Sequence, residues 1–409
     1  MRFMNLRWII GILFVASGLL CTGCGSPPPQ FRRYVTYIKK TERTADFTFK
    51  SQQLQDVDEV LAAMFGTPND PLVPALKDVE VGKVMNFARL KVAAGAVGTD
   101  EQGRARGLYR EHCAHCHGVT GDGLGPTAAF LNPYPRDYRL GKFKFKSTPL
   151  GSKPTHADLT KIIKEGIPGT AMPAFLLLPE NEIEALVDYV KYLAIRGEVE
   201  RGLIEQWAGN LGDQDRLFVD AEKISGDQVG VIQEVTGIVV SKWLESEGQA
   251  TGVAARPEYT TAELNKSREA GRVLFQGTRA NCFTCHGISA LGDGQLSGFD
   301  DWTKEFVAPT GPLVPELVRE YTRLGMLDPR NIRPRNLRQG VFRGGRRPLD
   351  IYWRIRNGIE GTPMPAVPAK TLTDAEVWDL VNYVQSLPYE AISDPHQAVP
   401  APTNTAAVK

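Results

Sequence analysis

Two five-residue stretches, Cys113-Ala114-His115-Cys116-His117 and Cys282-Phe283-Thr284-Cys285-His286, constrain this chain more than anything else in it. Each reads Cys-x-x-Cys-His, the pattern through which a c-type haem is attached covalently. Two thiols must reach the two vinyl groups of one porphyrin, and the next residue must offer an imidazole to the iron. One helical turn holds all three in place. The competing reading is a zinc-binding or redox Cys-x-x-Cys pair that happens to precede a histidine, and a second full copy argues against it. Cys113, Cys116, Cys282 and Cys285 are therefore expected to hold two covalent haem c groups, with His117 and His286 as proximal ligands.

The other cysteines, Cys21 and Cys24, lie at the N-terminus, so none remains for a disulfide or a further metal site. Thioether bonds to haem are made outside the cytoplasm, and the N-terminus agrees. Arg2 and Arg7 precede an apolar run from Trp8 to Leu20, too short for a stable membrane span. Gly23 then precedes Cys24, and the stretch resembles a bacterial lipoprotein signal. That resemblance makes residues 1–23 a signal peptide and Cys24 a lipidation site, leaving the protein anchored to a bacterial membrane and facing the periplasm or cell exterior. Plain secretion and an uncleaved anchor are the alternatives. Ser26-Pro27-Pro28-Pro29 reads as a stiff spacer.

A chain of 409 residues should divide into two or three domains. A net charge of +1 gives no field that would favour nucleic acid. There is no phosphate-binding glycine loop and no Gly-x-Ser-x-Gly. Residues 24–100 form the anchor and a largely helical extension without a cofactor signal, expected to pack on a haem domain or a partner subunit. Leu54, Val57, Leu61, Met64 and Phe65 recur at helical spacing, and Gly66-Thr67-Pro68 should stop that helix. Arg32, Arg33, Lys39, Lys40 and Arg43 make a basic stretch suited to anionic lipid or to a solvated face.

The first haem domain is read as 101–197. Its first helix should start near Asp100 and carry Gly107 and Tyr109 into the motif; its last should start at Pro179-Glu180. Residues 198–260 are read as an ordered connector, in which Val231-Ile232 and Ile238-Val239-Val240 fit either a helix or short strands. The second domain, 261–389, repeats the first. Pro334-Arg335-Asn336 matches Pro135-Arg136-Asp137, and Gly361-Thr362-Pro363-Met364-Pro365 matches Gly169-Thr170-Ala171-Met172-Pro173. The second copy holds about 30 extra residues, around Gly292 to Pro329. Residues 390–409 read as a disordered tail.

Each iron needs a sixth ligand from later in the chain. Met172 and Met364 occupy matched Gly-Thr-x-Met-Pro loops, whose glycine and proline suit aiming a thioether at a porphyrin. Thioether ligation favours ferrous iron and closes the last coordination position. A core-filling methionine is the bland alternative, and Met326 competes with Met364. His112, His115 and His156 are not expected on iron. Arg136 and Arg335 follow equivalent prolines and are candidate partners for the porphyrin propionates. The arginines at 330, 333, 335, 338, 343, 346 and 347 suggest propionate pairing plus a docking patch for an acidic redox partner, or simply a solvated loop.

With these motifs in hand, the chain resembles the class I cytochrome c family, present twice. The resemblance implies an all-α fold of two tandem cytochrome c domains, in each of which N- and C-terminal helices cross. Gly107 with Tyr189, and Gly271 with Tyr383, match that crossing. It also implies a proline carbonyl that orients the proximal histidine; Gly125-Pro126 matches in the first domain, whereas the second has Gly294-Gln295. Phe143 to Thr148 and Gly166 to Pro173 look like segments of cytochrome subunits in bacterial respiratory complexes. The expected function is single-electron transfer in a membrane-associated respiratory chain, as a carrier or as the cytochrome subunit of an oxidase or quinol-oxidising complex. Redox proteins are then the partners, with no bond-making catalysis and no small-molecule substrate. A dihaem peroxidase is the alternative; it needs an open iron position, against which the paired methionines argue.

Overall fold

A computed structural model describes residues 29–210, 226–308 and 311–393. The signal at 1–23, the lipid site at Cys24 and residues 394–409 of the expected tail lie outside the described residues. Residues 390–393 of that tail are ordered against the second domain, where the Arg338 guanidinium donates to Glu390 Oε2 at 2.8 Å.

The described protein is all-α apart from one minimal hairpin. The N-terminal extension supplies α1 (Val35–Ala45), α2 (Ser51–Phe65) and α3 (Phe87–Ala93). Helix α2 stops at Gly66, whose φ of +70° no ordinary side chain adopts readily, as the Gly-Thr-Pro signal predicts. The extension packs on the long helix of the first haem domain: Tyr34 N donates to Glu200 at 2.7 Å, and Asn86 N to Asp188 at 2.9 Å. Several side chains of the basic stretch, most of them exposed, find acidic partners within the chain. Arg33 pairs with Asp58 at 2.6 Å, Lys40 with Glu305 at 2.5 Å and Arg32 with Asp122 at 3.6 Å.

The entry to the first motif differs from expectation. In place of one helix from Asp100, strand β1 (Gly98–Thr99) pairs antiparallel with β2 (Ala105–Arg106), and only α4 (Leu108–His112) leads into α5 (Ala114–His117). The cause is local turn chemistry. The Asp100 carboxylate accepts from Gln102 N and Arg104 N, and Gly103 sits at φ +73°. Gly107 is therefore not at a helix crossing; a methyl there would meet the Ala96 carbonyl at 2.3 Å. The crossing is made instead by α3, which lies against the long helix with Leu90 and Ala93 fully buried.

That long helix is α7 (Glu180–Asn210), preceded by α6 (His156–Glu165). At 31 residues it is about 46 Å long and runs past the expected end of the domain. Ile183, Leu186, Tyr189, Leu193, Val199 and Leu203 are all buried, because α1, α2, α3 and α6 surround it. The connector resolves as a helix, α8 (Gly226–Glu245), also packed on α7. Among the described residues no helix is long and apolar enough to cross a membrane.

The second domain contains α9 (Thr261–Gln276), α10 (Phe283–His286), α11 (Asp301–Val307), α12 (Pro315–Arg323), α13 (Pro348–Asn357) and α14 (Asp374–Ser386). Helices α9 and α14 cross as expected, and at Gly271 a side chain would strike the Asp379 carbonyl and Tyr383. Both begin with capping boxes, Thr260 with Glu263 and Thr373 with Glu376. Helices α11 and α12 come from the extra residues and pack on the N-terminal extension, where Phe306 meets Tyr34 and Tyr321.

Candidate haem sites and the interface between them

Each Cys-x-x-Cys-His forms a single helical turn, with the cysteines free of disulfides. Burial pushes the thiols of Cys113 and Cys282 up to about 12, so both stay neutral. His117 Nδ1 lies 3.0 Å from the Arg136 carbonyl, and His286 Nδ1 lies 3.3 Å from that of Arg335. A carbonyl only accepts, so Nδ1 carries the proton in both rings and Nε2 keeps its lone pair for a metal. This corrects the expectation for Pro126, and the second site lacks nothing by having Gln295. The orienting oxygen comes from the arginine after Pro135 or Pro334. Gly125 and Gly294 instead let the loop press on the motif turn, where a methyl would fall 2.5 Å from the His115 carbonyl or 2.6 Å from that of Thr284.

The sites differ in dryness. Tyr138 stacks on His117 at 4.8 Å, and burial pushes this imidazole down to about 4. In the second site Leu337 replaces that ring, and burial lowers His286 as well.

The methionine loops match bond for bond. Thr170 Oγ1 and Thr362 Oγ1 each donate to the isoleucine carbonyl three residues earlier, at 2.8 and 2.7 Å, and each accepts the N–H of its methionine, Met172 at 3.1 Å and Met364 at 3.2 Å. Ile167 N and Ile359 N donate to the carbonyls of Met172 and Met364, both at 3.1 Å. Both side chains are half-buried. Met326 packs against the core of the N-terminal half, not that of the second domain. His156 is held by Glu184 at 2.9 Å, and His112 lies against Phe175.

The two domains meet along Phe143 to Ser147. A methyl on Gly344 would strike the Phe145 ring, Asn357 Nδ2 donates to the Ser147 carbonyl at 2.8 Å, and Lys146 pairs with Glu360 at 2.5 Å. Positive charge accumulates beside this seam. Arg136 makes no ion pair among the described residues, and its guanidinium lies 3.3 Å from the centre of the Trp302 ring. Loss of water pushes it down to about 10. Burial, then Arg136, pushes Lys144 down to about 7, although Asp300 stands 3.7 Å away. Burial and Arg335 bring Arg343 down to about 10. The Nε atoms of Arg335, Arg343 and Arg354 are buried without partners. Cations that lose water and have too little counter-charge are costly, and a porphyrin with two carboxylates would meet that deficit. These residues, with the thiol pairs and the Nε2 lone pairs, fit haem c. Two other arginines of the expected patch also bond within the chain while staying exposed: Arg330 donates to the Leu131 and Ala129 carbonyls, and Arg347 to Asp350.

Residues 100–190 match the family model described as cytochrome c oxidase, cbb3-type, subunit III, and residues 268–388 match that described as cytochrome c. No curated protein matches. Among solved structures, a chain of the Kuenenia stuttgartiensis reducing HAO-like protein complex aligns at 24% identity over 71% of this chain and 99% of its own, with a TM-score of 0.44. The fold and the matched regions define an electron-transfer protein of the haem c class. The chain belongs to the c-type cytochromes and carries two such domains in tandem.

Proposed function

We propose that this chain is an exported dihaem cytochrome that relays single electrons in a membrane-associated respiratory chain. Each haem is bonded through Cys113 and Cys116 or Cys282 and Cys285, and supplies a one-electron ferric/ferrous couple. His117 and His286 bind iron through Nε2, oriented by the Arg136 and Arg335 carbonyls. Met172 and Met364 fill the far positions; Arg136 and Arg335, with Arg343 and Lys144 beside them, neutralise the propionates. Cys24 carries the lipid that holds the protein to the membrane.

The observation that carries this reading is the duplicate Thr-anchored methionine loop. Two identical hydrogen-bond patterns on diverged sequences imply one shared task, and a closed sixth position suits electron transfer better than peroxide turnover. The partners are redox proteins, whether the chain acts as a carrier or as a subunit of an oxidase or quinol-oxidising complex. The test is production in a strain competent for cytochrome maturation. The mature protein should gain the mass of two haems, show low-spin spectra and leave peroxide unreacted. A colourless product, or peroxide turnover by a five-coordinate site, would refute the reading. Co-purification with membrane subunits under mild detergent separates subunit from carrier.

A further inference from the structure

The two domains cross-contact each other in a reciprocal but unequal way. In one direction, the Arg335 guanidinium reaches the loop of Met172: a methyl on Gly169 would stand 3.1 Å from an Arg335 Nη atom, and Arg343 donates to the Gly169 carbonyl at 3.4 Å. In the other direction, Arg136 should meet the loop of Met364 at Gly361, but the Trp302 ring is interposed. Its ring carbons fill the space beside Gly361, where a methyl would fall 2.3 Å away. Asp301 N donates to the Gly361 carbonyl at 3.1 Å, which fixes the start of α11 on the same loop. The same ring carries the Arg136 guanidinium 3.3 Å from its centre, and its Nε1 lies 3.4 Å from the Asp137 carbonyl. Lys142 and Lys144 of the first domain hold Asp301 and Asp300 on either side of this arrangement, at 3.0 and 3.7 Å.

Trp302 thus touches the segment whose carbonyl orients His117 and the turn that presents Met364. From this geometry we infer that Trp302 is a positioning residue shared by both haem sites, and that it couples the reduction equilibrium of one domain to the structure of the other. The ring acts in two ways. It excludes water from Arg136, so the guanidinium's field reaches the first site weakly screened. It also backs the Gly361 turn, which keeps the Met364 thioether in place. The extra residues of the second domain are therefore a wedge that makes the two sites unequal. This inference rests on the proposed haem ligation.

The test uses the full haem-loaded chain and a spectroelectrochemical titration that resolves both sites. Trp302→Ala should lower both midpoint potentials, each by about a tenfold change in the one-electron equilibrium, or about 59 mV. Trp302→Phe keeps the ring and should leave both within about a third of that shift. Trp302→Leu keeps an apolar side chain at the seam but not the ring; it should lower both potentials in the same direction by a smaller amount, and it covers the case in which Trp302→Ala fails to fold. Hydrogen exchange at Ile359 to Met364 should quicken in Trp302→Ala. Unchanged potentials in a variant that melts like wild type, or a shift confined to the second site, would overturn the inference. A wild-type protein with no haem would instead overturn the proposed function.

Discussion

Gly271 and Asp379 approach so closely that a methyl on the first would lie 2.1 Å from the carbonyl oxygen of the second. This contact sets the crossing of α9 and α14. Gly271→Ala should therefore destabilise the second domain by about 1–3 kcal/mol through overpacking, despite the helix propensity that alanine adds. Gly237, in α8, has nothing within 4 Å, so Gly237→Ala should stabilise by up to about 1 kcal/mol. Thermal melts of both variants check the pair. Equal effects would mean that the crossing tolerates separation.

Met172→Ala and Met364→Ala should each remove one methionine-to-iron charge-transfer band and lower one of the two potentials, because the soft sulfur that favours ferrous iron is lost. Thr362→Val should act in the same direction but more weakly, since the Met364 N–H then loses its 3.2 Å acceptor. Visible spectra and redox titration read both effects. An unchanged spectrum in either alanine variant takes that methionine off the iron.

The parts legible from sequence were those written in adjacent residues. The motif turns, the Gly-Thr-x-Met-Pro loops and the stop at Gly66 each depend on neighbours within a few positions. The parts missed depend on partners far along the chain. Nothing near His117 marks the Arg136 carbonyl as its acceptor, and Trp302 gives no local sign that it will lie under Arg136. The hairpin at 98–106 was readable in principle: Asp100 and Gly103 carry an Asx-turn signal. That local turn chemistry overrides the helical pattern leading into the motif. The arginine-rich stretch shows the same limit, since charge alone does not distinguish a guanidinium beside a haem site, such as Arg335, from one that stays exposed, such as Arg330.

Glu376 caps α14 and pairs with Arg279 at 2.6 Å; the Arg279 hydrogen bond and the Thr373 N–H hold its carboxyl at about 2, well below the ordinary range. Its folded-state value is depressed. The stability it contributes is thus present above the unfolded value near 4.5 and is lost as pH falls towards 2. Glu376→Gln keeps the capping-box acceptor and removes the ion pair with the exposed Arg279, so it should cost about 0.2–1 kcal/mol at neutral pH. The gap between variant and wild type should close on acidification. Denaturant melts at pH 7 and pH 3 test the sign; a gap that widens in acid contradicts the assignment.

Glu198 ties the connector to the first domain. Its carboxylate accepts from Trp243 Nε1 at 3.0 Å in α8 and pairs with the buried Lys153 ammonium, which also donates to the Gly141 carbonyl at 3.0 Å. Removing one partner of a buried pair strands the other charge, so Glu198→Ala should cost about 3–5 kcal/mol. Trp243→Phe, which removes one hydrogen bond and leaves the ion pair, should cost about 1 kcal/mol. The double change Lys153→Met with Glu198→Leu leaves no stranded charge and should recover much of the loss. Melting temperatures and limited proteolysis of α8 distinguish these cases. If the double variant is as unstable as Glu198→Ala, the contribution of Glu198 is packing against Gly141 and Trp243, and the ion pair adds nothing.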